Sequence, residues 1–212
     1  MWQIFKAGGP VMIPLLACSI LVLAVILERT FFWVRASMQR NQRLVDDILE
    51  LSRGGRWEEI RGRVQGSRDF VARILVTGIV HREFSMAKAM ESAAMETLEA
   101  MRRYMKVMDT IITVAPLLGI FGTVVGIISS FEMLGGGGIG HPEAVTQGVA
   151  QALITTASGL EIAIFTVLPY NYFNARVETA ALTIEKYAAG LSASRAAARV
   201  REPGRYRCLG GG

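Results

Sequence analysis

Apolar positions in this chain gather into three long runs, residues 11–34, 107–131 and 144–173. Each is long enough to cross a bilayer, which takes about 20 residues at a rise of about 1.5 Å per residue. The segments between and after them carry a helical pattern. Val45, Ile48, Leu49 and Leu51 recur at helix spacing, with Gly54 and Gly55 as a stop, and two short helices are expected over 56–64 and 70–80. From Ser85 there is no Gly or Pro until Pro116, so the pattern predicts one helix running unbroken into the second span. Glu99 precedes Arg102 and Arg103 at a spacing that supports it. Residues 174–200 extend the third span, with Val177, Ala180, Ala181, Ile184 and Ala188 on one face. The fold class is therefore all-α, a polytopic membrane protein with three transmembrane helices, two of them extended beyond the membrane. The expected organisation is a stub and first span (1–34), a helical loop (35–106), spans two and three (107–173) joined by a short connection (132–143), and a helix with a tail (174–212). Residues 202–212 have the composition of a disordered segment.

Polar residues interrupt the second and third runs in a pattern. At 100° per residue, Pro116, Gly119, Thr123, Gly126, Ile127 and Ser130 fall within an arc of about 100°. Gly122 and Gly126 form a GxxxG pair, which lets membrane helices approach closely, and Gly159 is a packing candidate on the third span. Spacing alone leaves two roles open for Thr123: a bond to its own backbone in a tight interface, or a hydroxyl facing a channel. On the third span Gln147, Gln151, Ser158 and Glu161 share an arc of about 80°, with Thr155 at its edge and Thr156 nearly opposite Gln147. Lipid cannot satisfy polar atoms on several sides of one helix. Three spans cannot enclose one another fully, so an oligomer is expected. An ionised Glu161 near the middle of a span costs roughly 2.5–3.5 kcal/mol, and spans two and three contain no Lys or Arg to pair with it.

Charge sets the expected orientation. Of the 23 Lys and Arg residues, fourteen lie in 35–106 and seven in 174–212, whereas 132–143 contains none. The positive-inside rule then places the loop and the C-terminus in the cytoplasm and the N-terminus outside, with Lys6 on the disfavoured side. The net charge of +5 reads as an insertion signal; acidic residues interleaved through the loop argue against nucleic-acid binding. Leu15-Leu16-Ala17-Cys18 resembles a lipoprotein cleavage box, but the apolar run continues about ten residues past Cys18, so the first span is expected to be retained. Cys18 and Cys208 lie on separate elements, as do His81 and His141, and predict neither a disulfide nor a metal site. The glycines at 135–138 lack a following Gly-Lys-Ser/Thr and read as a turn, and no cofactor is expected. Met86, Met90, Met101, Met105 and Met108 recur at helix spacing and read as core or a helix–helix seam.

The segments APLLGIFGTVVGIISSF (115–131) and 148–173, and more weakly GGPVMIPLLACSILVLAVILER at the start, resemble the ExbB/TolQ/MotA proton-channel proteins of bacterial inner membranes. Three spans with the N-terminus outside are similar to ExbB and TolQ. The resemblance implies a pentamer of this chain around the membrane helices of two copies of an ExbD/TolR-like single-span partner, whose Asp takes up and releases protons. A TonB/TolA-like periplasm-spanning protein would receive the force. It also implies that Thr123 in GIFGTVVGI and Thr156 in ALITTASGL face that Asp; Gln151, Glu161, Ser130 and Thr155 are the further candidates for the ion pathway. Gln151 falls where ExbB proteins often carry a functional Glu, Glu161 where the family is usually apolar, and Phe165 where it often has Pro.

The function these readings imply is the stator subunit of an ion-driven motor in the inner membrane, surrounded by lipid. The alternative from another class is a structural scaffold whose polar stripe serves only packing. An enzyme is not expected: the spans lack a paired Asp, a Ser/His dyad or a zinc motif.

Overall fold

The protein, a computed structural model, is described for residues 8–64, 66–81, 85–137 and 142–201. Among these residues the secondary structure is entirely helical: α1 (Met12–Met38), α2 (Gln42–Arg53), α3 (Trp57–Val64), α4 (Phe70–Val80), α5 (Met86–Arg102), α6 (Met105–Gly137) and α7 (Pro142–Arg201). Three stretches, within α1, α5–α6 and α7, are long and apolar enough to cross a membrane. The expected tail at 202–212 lies outside the described residues.

Two departures from the sequence pattern stand out. The helix expected to run unbroken from Ser85 is interrupted at Arg103 and Tyr104, where Tyr104 adopts φ of 63°. An aromatic residue at positive φ is uncommon, and no Gly, Asn or Pro marks the site. The break is capped locally, because the Tyr104 carbonyl accepts from Val107 N at 3.0 Å and restarts the helix. The Tyr104 ring is held between cations, with the guanidinium carbons of Arg103 and Arg29 at 4.8 and 5.7 Å from its centroid. The second departure is at the other end of α6. The run of glycines read as a turn is helical through Gly137, and only 138–141 remain outside the described residues.

The chain divides into two compact units. The first comprises Met1–Thr30 and Arg103–Asn174. Here Val11 and, from α1, Met12, Leu15 and Val22 pack on Ile111 and Ala115, with Leu118 and Ile162 against the same cluster. Arg29 is 2% exposed in this unit and accepted as donor by both carboxylate oxygens of Glu28, at 2.5 and 2.6 Å.

The second unit comprises Phe31–Arg102 and Ala175–Gly212. Its core is built from Val45, Ile48, Ile60, Ile74, Leu75 and Met90, and is closed by Ile184, Tyr187 and Leu191 of α7. Asp69 organises two helix starts at once. One of its oxygens accepts from Val71 N (2.8 Å) and Ala72 N (3.3 Å) to cap α4, and the other accepts from Asn41 N (2.7 Å) at the start of α2. The Asn41 side chain in turn accepts from Leu44 N at 3.2 Å. Gly55, at φ of 70°, turns the chain after α2 in a conformation that favours glycine. All five methionines of the stripe, Met86, Met90, Met101, Met105 and Met108, are buried.

Candidate ion pathway

The hairpin of α6 and α7 carries every ion-pathway and helix-packing candidate named from the sequence. Its seam is made of glycines packed on backbone. A Cβ at Gly159 would lie 2.5 Å from the Ala115 carbonyl and 3.1 Å from Gly119 Cα. One at Gly119 would meet Thr155 O and Thr156 Cα at 3.1 Å, and one at Gly126 would meet Ala152 Cβ at 3.0 Å and Gly148 O at 3.1 Å. Gly122 faces Thr155, whose hydroxyl a Cβ there would approach to 2.5 Å. These distances leave no room for a side chain, which is why small residues recur on both helices. Pro116 sits within α6, half-buried, one residue from Ala115 at this crossing.

The sequence pattern marks Thr155 and Gly159 of α7 but not the other small residues of its face. Gly148, Ala152, Thr155, Gly159, Ala163 and Thr166 step by three or four residues and form one face, and all but half-buried Gly148 are buried. Ser130 and Gly148 meet across the upper seam, where a Cβ on Gly148 would collide with the Ser130 hydroxyl. Ser130 donates to Gly126 O at 2.8 Å. Thr155 is 1% exposed and donates to Ala152 O at 2.7 Å. Both hydroxyls are thus enclosed between the two helices.

Thr123 and Thr156 flank this seam, half-buried. Thr156 Oγ1 donates across the interface to Gly119 O at 3.0 Å. Thr123 Oγ1 donates within its own helix to Ile120 O at 2.5 Å. The two hydroxyls are therefore anchored on consecutive carbonyls of one turn of α6. Each spends its proton on a backbone acceptor and keeps oxygen lone pairs that can accept from water or a protonated carboxyl. The side of the hairpin follows from helical geometry. Leu118 and Ile162 pack with α1; Thr123 lies about 140° around α6 from Leu118, and Thr156 about 120° around α7 from Ile162. The two threonines accordingly share the side away from α1.

Gln151 and Glu161 lie elsewhere. Gln151 is about 140° around α7 from Thr156, and its amide packs where a Cβ on Gly9 would stand. Gly9 has φ of 71°, so glycine serves both the backbone there and the close approach. Glu161 is exposed, turned away from the seam with Leu160, Ile164 and Phe165 around it. Among the described residues no group of three or more His, Cys, Asp or Glu is placed to hold a metal ion.

This close-packed, glycine-seamed hairpin with hydroxyls on one side belongs to a chain whose residues 67–186 match the MotA/TolQ/ExbB proton channel family. The chain is a member of that family. It is 38% identical over 174 residues to the putative biopolymer transport protein ExbB-like 3 of Synechocystis sp., covering 79% of this chain and 81% of the relative. The similarity to the Tol-Pal system protein TolQ of Haemophilus influenzae is 38% over 90 residues, covering 42% of this chain and 40% of TolQ. Biopolymer transport protein ExbB of Neisseria gonorrhoeae is 39% identical over 79 residues, 36% of each chain. As a proton channel family member with three apolar helices of spanning length, the chain is a multi-pass membrane protein.

Proposed function

We propose that this ExbB/TolQ-like chain is the stator subunit of a motor driven by the proton-motive force, and that ions pass along the Thr123–Thr156 side of the α6–α7 hairpin. The observation that carries this reading is the pairing of two half-buried hydroxyls on consecutive carbonyls, on the side of the hairpin that α1 leaves open. In this reading five copies form a ring in the inner membrane, with the N-terminus periplasmic and the C-terminus cytoplasmic. The threonine side faces the ring's interior, where a dimer of ExbD/TolR-like helices presents its carboxylate. A potential of 100 mV supplies about 2.3 kcal/mol per charge moved, enough to drive partner motion when several ions pass per step. A TonB/TolA-like protein spanning the periplasm takes up that motion. No covalent step on this chain is required.

The scaffold reading has one observation in its favour: both hydroxyls already have backbone acceptors, as packing alone would arrange them. Co-purification of the chain with its single-span partner, followed by native mass spectrometry, separates the two. A five-to-two complex supports the stator; a stable monomer that captures no partner contradicts it. Cysteine labelling on a cysteine-free background tests the orientation, with position 54 shielded and position 137 open to a periplasmic reagent.

A further inference from the structure

A cavity of about 890 Å³ opens in the second unit, where the Phe32–Gln39 end of α1 converges with α4 and α5. Its size is that of a small-molecule site. Phe32, Phe70, Ile74 and Met101 supply apolar lining, with Ile74 and Met101 fully buried. Among the described residues Arg35, Arg68, Arg73 and Lys88 line it too, all exposed, against one acidic residue, Glu96. None of these four cations makes an ion pair among the described residues. Four cations and one carboxylate around one cavity select an anion.

The apolar lining and the position on α1 narrow the ligand further. The apolar run of α1 ends at Val34 and Arg35 follows directly, so the cavity lies at the level where headgroups meet the hydrocarbon edge. On the same stretch of α1, Phe31 and Val34 are 70% and 53% exposed, an apolar track beside a cationic pocket. A free phosphate would use only the cations, whereas an amphiphile uses both. We propose that this cavity binds the phosphate headgroup of an anionic phospholipid, with the acyl chains laid along Phe31 and Val34. The site is separate from the threonine pathway, and the proposal stands whichever leaflet the basic end of α1 occupies.

The test is native mass spectrometry of the full-length chain in detergent, titrated separately with phosphatidylglycerol and phosphatidylcholine. The chain should prefer phosphatidylglycerol. Each basic group removed should weaken that lipid about fivefold, so Lys88→Gln loses about fivefold and Arg73→Gln/Lys88→Gln about twenty-fivefold. Binding of phosphatidylcholine should not change. Arg73→Lys/Lys88→Arg, which keeps both charges, should bind as the native chain does. Arg43→Gln/Arg53→Gln, an equal charge change outside the cavity, should leave the affinity intact. An unchanged affinity in Lys88→Gln, or an equal loss in the Arg43/Arg53 pair, overturns the site. Displacement of the lipid by millimolar inorganic phosphate would assign the pocket to a free anion and also overturn the lipid proposal.

Discussion

Thr156 on α7 donates its hydroxyl to the carbonyl of Gly119 on α6 at 3.0 Å, across a seam where neither helix has room for a Cβ. The bond ties a proposed ion-path hydroxyl to the packing of the hairpin, so the two roles have to be separated by substitution. Thr156→Val keeps the shape and removes the donor. Hydrogen bonds between membrane helices contribute about 0.6 kcal/mol on average, so the variant should lose no more than about 1 kcal/mol and still assemble. Thr156→Ser should retain both the bond and the activity. Thermal denaturation of the detergent complex measures the first, and partner-dependent ion flux the second.

Gly159 is where packing is least forgiving. Its would-be Cβ meets the Ala115 carbonyl and the Gly119 backbone, neither of which can rotate away. Gly159→Ala should therefore separate the helices and cost about 1–3 kcal/mol, as overpacked cores do. Ala157→Gly, on the exposed face of the same helix, should cost about 1 kcal/mol or less. Equal stability of the native and Gly159→Ala chains in denaturant titration would show that the seam is looser than described.

Tyr187 gives the second unit an alkaline limit. Burial, and then the Asp46 carboxylate to which its hydroxyl donates at 3.2 Å, raise its pKa above the ordinary 10.0. A raised folded-state pKa means that this contribution is complete below the unfolded value near 10 and is lost as pH climbs through the higher folded value. Stability should therefore fall above about pH 10, and Tyr187→Phe should flatten that fall while removing one hydrogen bond, about 0.5–1.5 kcal/mol. Thermal melts from pH 8 to 11 provide the measurement.

Glu161 is about 140° around α7 from Thr156. If ions follow the threonine side, Glu161→Gln should assemble normally and keep its flux within about twofold. Glu161→Leu should favour insertion by roughly 2.5–3.5 kcal/mol, the cost of a mid-span carboxylate. Loss of flux in Glu161→Gln with assembly intact would place the carboxylate on the pathway itself.

The sequence made the membrane part legible because apolar length and small-residue spacing are local signals. Three runs, a GxxxG pair and the Gly54–Gly55 stop follow from them, and so does the methionine stripe. The break at Tyr104 was illegible, since its positive φ is accompanied by Arg29 and Arg103 at the ring and no turn residue signals it locally. Periodicity grouped Gln151 with Glu161 on one polar arc, yet Gln151 packs beside Gly9 while Glu161 is exposed. An arc on a helical wheel says which residues are neighbours; it cannot say which side another helix will cover. Thr155 and Gly159 were legible, but Gly148 and Ala152, which complete their stripe at the same spacing, have no polar side-chain atom or long apolar side chain to set them apart on an apolar helix.

The central claim is that ions move along the side of the hairpin bearing Thr123 and Thr156. Ion flux through the chain–partner complex in proteoliposomes, driven by an imposed pH gradient and potential, tests it most directly. Thr123→Val/Thr156→Val should form the complex in native yield and conduct at the background rate of empty vesicles. A double variant that conducts like the native complex would contradict the pathway and leave the two hydroxyls with packing as their role.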